Sequence, residues 1–179
     1  MKKEFYLMQE NNTIVNRVAS SGLITFDLEK FYQPGHRVVV DIKDQLAEGL
    51  VLREKVFREF ITTHDWKQYE GKFVTITCST EAIVPLWAFL LVAISLQPYA
   101  RIVGFGTLEE LERRLFEEAL ATVDWSSYKG AKVVIKGCSR YEVPISVYVY
   151  VATKLRPFVT SLMYGEPCST VPLYKSFTR

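Results

Sequence analysis

Two stretches of the chain, 65–106 and 124–165, are copies of one another at a constant offset. Adding 59 to Asp65, Trp66, Tyr69, Gly71, Val84, Pro85, Pro98 and Gly106 gives Asp124, Trp125, Tyr128, Gly130, Val143, Pro144, Pro157 and Gly165. Val74, Ile76, Ala93 and Leu96 recur at the same offset as Val133, Ile135, Ala152 and Leu155. Self-similarity at a fixed period marks a duplicated supersecondary unit. The segment before each copy repeats too, since Leu52, Phe57 and Glu59 match Leu111, Phe116 and Glu118. The pattern predicts an internal duplication of about 38–106 and 107–165 with pseudo-two-fold symmetry.

Each copy alternates strand and helix signals. Arg37 to Ile42, with Val38-Val39-Val40 at its centre, reads as a buried strand. Gly49 to Ile61 places Leu52, Val56, Phe57, Phe60 and Ile61 on one helical face. A strand at Lys72 to Thr77 follows the turn at Gly71, and Ser79 or Thr80 is placed to cap the helix that Pro85 opens and Pro98 ends. After a short strand at Arg101 to Phe105, Leu108, Leu111, Leu115, Phe116, Ala119 and Leu120 form the inner stripe of a helix. Glu109–Arg113 and Glu110–Arg114 are i,i+4 pairs on its outer side.

In the second copy the strand is Lys132 to Lys136 and the helix Pro144 to Leu155, followed by a short strand near Val159 to Met163. Val147-Tyr148-Val149-Tyr150-Val151 has strand composition. The matched prolines nevertheless assign it to a helix. Strands alternating with helices predict an α/β fold, a mostly parallel sheet covered by helices on both faces. Residues 1–13 read as a flexible polar leader, 14–179 as one α/β domain, and 166–179 as its tail. Residues 14–31 carry no firm assignment beyond Asp27-Leu28-Glu29, which resembles a helix start.

Composition narrows the function classes. Lys plus Arg number 22 against 20 Asp plus Glu, a net charge of +2, which argues against a nucleic-acid partner. The longest run without a polar side chain, Ala82 to Ile94, is shorter than the roughly 20 residues a membrane span needs. Met-Lys-Lys-Glu-Phe-Tyr at the start has no apolar signal core, so the three cysteines read as reduced thiols of a cytoplasmic protein.

Those cysteines are the candidate chemistry. Cys78 and Cys138 each follow a strand and precede a helix, the place where parallel α/β proteins bind ligands. A thiol near a helix N-terminus tends toward thiolate, the form that binds zinc or an iron–sulfur cluster. Cys168, in a third Cys-Ser pair, supplies another sulfur if the tail folds back. His64, His36, Glu81 or Glu166 are the choices for a fourth ligand. Against this, no C-x-x-C pair is present, and Cys138 lies one residue later than the repeat places it. Small buried cysteines with no ligand role fit the same pattern. An anion site at the same helix N-termini is a further alternative, as is Cys168 acting as a nucleophile without a sequence-local base. The apolar Ala82 to Leu96 segment is either central core or a homodimer contact.

The tail Met163-Tyr164-Gly165-Glu166-Pro167-Cys168-Ser169-Thr170-Val171-Pro172-Leu173-Tyr174-Lys175, together with Val15 to Ile24 and Val134 to Cys138, resembles a bacterial family catalogued as domain of unknown function 2480. The resemblance runs from Ile14 to Lys175. It implies a cytosolic, stand-alone protein without an established activity, and supplies no catalytic residues. It also implies a setting near iron–sulfur assembly genes, and so iron–sulfur assembly proteins as partners. Two functions follow as expectations: a three-cysteine metal site accessory to cluster assembly, or a non-catalytic homodimeric interaction module.

Overall fold

A computed structural model describes residues 22–137 and 140–176. The first strands are β1 (Leu23–Asp27), β2 (Arg37–Asp41) and the two-residue pair β3 (Leu46–Ala47) and β4 (Val51–Leu52). Then come α1 (Glu54–Thr63), β5 (Phe73–Thr77), α2 (Leu86–Leu96), β6 (Ile102–Phe105) and α3 (Leu108–Leu120). The chain continues through β7 (Lys132–Lys136), α4 (Ile145–Leu155), β8 (Ser161–Glu166) and β9 (Ser169–Lys175). No helix among the described residues is long and apolar enough to cross a membrane.

The α/β class and the parallel pairing are as the sequence predicts, but in place of the expected one sheet there are two, besides the small β3–β4 hairpin. β2, β5 and β6 form a parallel sheet in the order β2-β5-β6. The second sheet has the order β1-β7-β8-β9, parallel except for the β8–β9 pair. α3 explains the separation, because it is apolar on two sides. Leu111 and Leu115 pack on Phe73 of the first sheet. Phe116 and Leu120 join Val147, Val151 and Leu155 of α4 in the core over Val133, Ile135 and Leu162 of the second. A helix that buries two faces stands between the sheets instead of beside one. On the far side of the first sheet, Phe57 of α1 and Ala88, Val92 and Leu96 of α2 cover Val74 and Ile76.

Each sheet takes one edge strand from the residues ahead of α1. β1 and β2 both end in an aspartate whose carboxylate accepts from a backbone N–H two residues on, Asp27 from Glu29 and Asp41 from Lys43, opening a short 3-10 helix. Thus Leu23–Asp27, within the stretch without an assignment, is an edge strand of the second sheet, registered from Leu23 opposite Lys132. Gly71 and Gly130 turn the chain into β5 and β7 with φ of 69° and 76°, the left-handed region a side chain would strain. Their N–H groups donate to the carbonyls of Tyr99 and Phe158.

Local departures from the sequence reading have local causes. Leu52 belongs to β4 and α1 starts only at Glu54, because Glu48 and Gly49 (φ 54° and 71°) fold β3 and β4 into a tight hairpin. Val56 then faces outward. Pro85 itself is the N-cap of α2, and no side chain caps that helix. The Ser79 N–H donates instead to Asp41. In α3, Thr107 and Glu110 form a capping box, which takes Glu110 out of the expected ion pair with Arg114. The pairs formed are Arg113–Glu117 and Arg114–Glu118, and Leu108 in the exposed first turn is not part of the inner stripe.

Leu115→Ala should cost about 2–5 kcal/mol, the range for a buried leucine that leaves a cavity between two layers. A lowered urea midpoint with unchanged far-UV circular dichroism is the expected reading, since Leu115 has no exposed surface at all.

Candidate functional site

The carboxyl ends of the parallel strands are where the sequence places chemistry. At the end of the first sheet, the Asp41 carboxylate accepts from the backbone N–H groups of Lys43 and Ser79 at 3.0 and 3.1 Å and lies 3.6 Å from the Lys43 ammonium. Burial disfavours the Asp41 charge, but the hydrogen bonds from Ser79 and Lys43 and the Lys43 charge outweigh it, holding the carboxyl below its ordinary value. Cys78 stands beside this anchor, half-buried, with its sulfur 3.3 Å from the Thr80 hydroxyl. At the end of the second sheet, the Lys136 ammonium meets the Glu166 carboxylate at 3.0 Å. That hydrogen bond, with the Glu166, Asp27 and Glu29 charges, raises the Lys136 pKa against a lesser desolvation.

The proposed ligands divide between these places. Cys78 follows β5 of the first sheet, whereas Cys168 is exposed in the turn between β8 and β9 of the second. Cys138 lies outside the described residues. Glu166 is engaged with Lys136. His64 is held within an aromatic cluster, its ring centroid 4.9 Å from Phe60 and 4.6 Å from Trp66, with Nε2 3.1 Å from the Tyr69 hydroxyl. Among the described residues, no group of three or more His, Cys, Asp or Glu is placed to hold a metal ion.

Between the halves lies a cleft of about 550 Å³. Tyr32 and Tyr141 stack there with centroids 3.8 Å apart. Arg37 makes a two-point contact with Glu112 of α3, Nε and Nη2 donating at 2.8 and 2.9 Å, and its guanidinium lies over Tyr32 and Phe73. These groups satisfy one another. They tie α3 to β2, and Arg37 is left with Nη1 bonded to the Gly35 carbonyl. The cleft is a joint more than a receptor.

A groove of about 450 Å³ along α2 and β6 has the opposite character. Its walls are Leu86 and Leu90 of α2, Phe105 of β6 and Arg114 of α3. Leu86, Leu90, Ile94 and Phe105 are 71%, 53%, 70% and 65% exposed, a contiguous apolar face of the kind that marks an interaction surface. A further concavity continues along Leu90, Ile94 and Val103. The i, i+4, i+8 spacing of Leu86, Leu90 and Ile94 was legible in the sequence, but a helix apolar all round reads first as core. Phe105 and Arg114 were missed. Only the recurrence of an aromatic 59 residues on, Tyr164, pointed to Phe105.

The edge of β8 in the second sheet, by contrast, is filled. Phe89 meets Phe105 edge-on at 5.1 Å, and 59 residues later Tyr148 meets Tyr164 edge-on at 5.7 Å. There, β9 lies antiparallel along β8, with Val171 opposite Tyr164.

Fold and site together define an α/β protein with two sheets joined through a shared helix and an open apolar groove at one sheet edge. The chain belongs to the family described as "Protein of unknown function (DUF2480)", which matches residues 12–176, nearly its whole length. No curated protein and no solved structure matches it.

Because Asp41 has a depressed folded pKa, its contribution to stability is present above the unfolded value, about 3.9, and is lost as pH falls through the folded one. Asp41→Asn should therefore lower stability at pH 7 and flatten the decline below pH ~4, as followed by urea unfolding at a series of pH values.

Proposed function

We propose that this protein is a non-catalytic interaction module whose working surface is the apolar face of α2 beside β6, and that a second copy of the chain covers it. The observation that carries this reading is the exposure of Leu86, Leu90 and Ile94 along one side of a helix without a single charged residue. Removing a surface of that chemistry from water against another apolar surface is favourable, and patches of this kind mark interaction sites. A self-association of two such helices brings no like charges from α2 together.

The doubled architecture belongs to the same proposal: one α/β unit over 14–179, built by duplication of about 38–106 and 107–165 and related by a pseudo-two-fold axis. Its support is the common offset of 59 between the starts of β5 and β7, α2 and α4, and β6 and β8. On this reading α2 and α4 are equivalent helices that differ in what covers the neighbouring strand.

A second reading retains the thiols as a zinc or iron–sulfur site made by Cys78, Cys138 and Cys168, with His64 or Glu166 as a fourth ligand, accessory to iron–sulfur assembly. One observation favours part of it. The Lys136–Glu166 bond ties together the ends of β7 and β8, and Cys138 and Cys168 each follow that pair by two residues in sequence. Cys78, leaving the other sheet, is the weak member.

Light scattering at native concentration should give twice the 20.6 kDa chain mass. Leu90→Glu should halve it without loss of circular dichroism, and a wild-type protein that stays monomeric ends the dimer reading. For the thiols, protein purified without oxygen is expected to carry zinc or visible cluster absorbance that Cys168→Ser reduces. Colourless, metal-free protein removes that reading.

A further inference from the structure

The groove beside β6 is more specific than a greasy face, because it includes the open edge of a sheet. β6 pairs with β5 on one side, and no described strand pairs with the other. The Gly106 N–H bonds the Ile76 carbonyl, while Arg114 Nη1 reaches the Val103 carbonyl from outside the sheet. Alternation along a strand then assigns the peptide groups of Val103 and Phe105 to the open edge. Natural edges discourage pairing with lysine, proline, inward charge or a bulge. The strand Ile102-Val103-Gly104-Phe105 carries none of these itself, its one charged neighbour being Arg114 of α3, whereas the β9 edge carries Pro172 and Lys175 and a register shift beside Leu162. The matched strand β8 already has an antiparallel partner in β9.

We infer that two copies of this chain join edge to edge through β6, antiparallel about a two-fold axis at Gly104, making one continuous six-stranded sheet from two β2-β5-β6 sheets. The inference rests on the docking face proposed above and specifies how it is used. In this register Val103 of one copy stands opposite Phe105 of the other, twice, and their outward N–H and carbonyl groups exchange hydrogen bonds, the Val103 carbonyl using its second lone pair beside the bond it accepts from Arg114. The pair of Gly104 residues lies on the axis, where antiparallel strands approach most closely and a missing side chain helps. Pairing the strands lays one α2 beside the other, so Leu86, Leu90 and Ile94 are covered by their own counterparts.

Charge and area favour a second copy as the occupant. α2 and β6 contribute no charge. The one charged group in the groove, Arg114, brings its own counter-ion, Glu118, at 2.9 Å. Leu86, Leu90, Ile94 and Phe105 are each more than half exposed, an apolar centre that fits within the ~800 Å² per partner of a standard stable interface. An isologous contact of this kind closes on itself and does not propagate into fibres.

The test separates backbone pairing from side-chain contact. Phe105→Ala removes the ring and keeps the edge N–H, whereas Phe105→Pro removes both; proline is tolerated on an edge whose N–H faces outward. Sedimentation equilibrium should show dimer dissociation strengthened on the order of tenfold by the alanine and at least a further tenfold by the proline. In hydrogen exchange, the Val103 and Phe105 amides should be slow in the wild-type dimer and fast in the Leu90→Glu monomer, with the Gly106 amide slow in both. This second measurement decides the matter if the proline variant does not fold. A dimer in which those two amides exchange fast, or which the proline weakens no more than the alanine, overturns edge pairing and leaves the α2 docking face standing. A wild-type monomer overturns both.

Discussion

The two-sided burial of α3 is the constraint on which the arrangement depends. Thirteen residues long, the helix buries Leu111 and Leu115 against one sheet and Phe116 and Leu120 against the core of the other. Positions 111 and 115 lie one helical turn apart, as do 116 and 120, and the two rows diverge by about 140° around the axis. A single stripe would have set α3 on the surface of one sheet. Two rows make it the common wall of both, and the contacts at its flanks keep it in register: Glu112 with Arg37, the Leu115 carbonyl with Gln33, and the capping box at Thr107.

With α3 committed to the interior, the halves finish their sheets differently. In the second, the C-terminal strand β9 closes the edge of β8, and Tyr174 turns inward under Arg156, whose guanidinium stacks on the ring at 3.9 Å. In the first, the residues after β6 turn directly into α3, so no following strand is left to close the edge. Arg114 reaches it from α3, donating to the Val103 carbonyl. The two sheets thus end with one covered edge, at β8, and one open edge, at β6. The difference arises from connection and not from the composition of the strands.

Several features were legible because they are local or repeated. Val147-Tyr148-Val149-Tyr150-Val151 forms α4 despite its strand composition, since Pro144 and Pro157 bound it as Pro85 and Pro98 bound α2. Other features depend on distant partners. β1 carries no periodic signal of its own and becomes a strand by pairing with β7 more than a hundred residues away. β9 was hidden by Pro172, which an edge strand accommodates. Ser79 looked like a helix cap, but the backbone before Pro85 is extended and Asp41 takes its N–H.

The amino-acid sequence by itself determined the α/β class, the alternation of strand and helix, and the prolines that bound α2 and α4, because these follow from residue periodicity and from where proline and glycine stand. It also held the apolar residues of α2 and the three cysteines. Only the tertiary structure decided that the strands divide into two sheets, that Cys78 and Cys168 leave different ones, and that α2 keeps one side bare beside an unpaired strand. Periodicity reports which residues avoid water in a helix or strand. Which neighbour removes them from it depends on how the chain connects its elements in space.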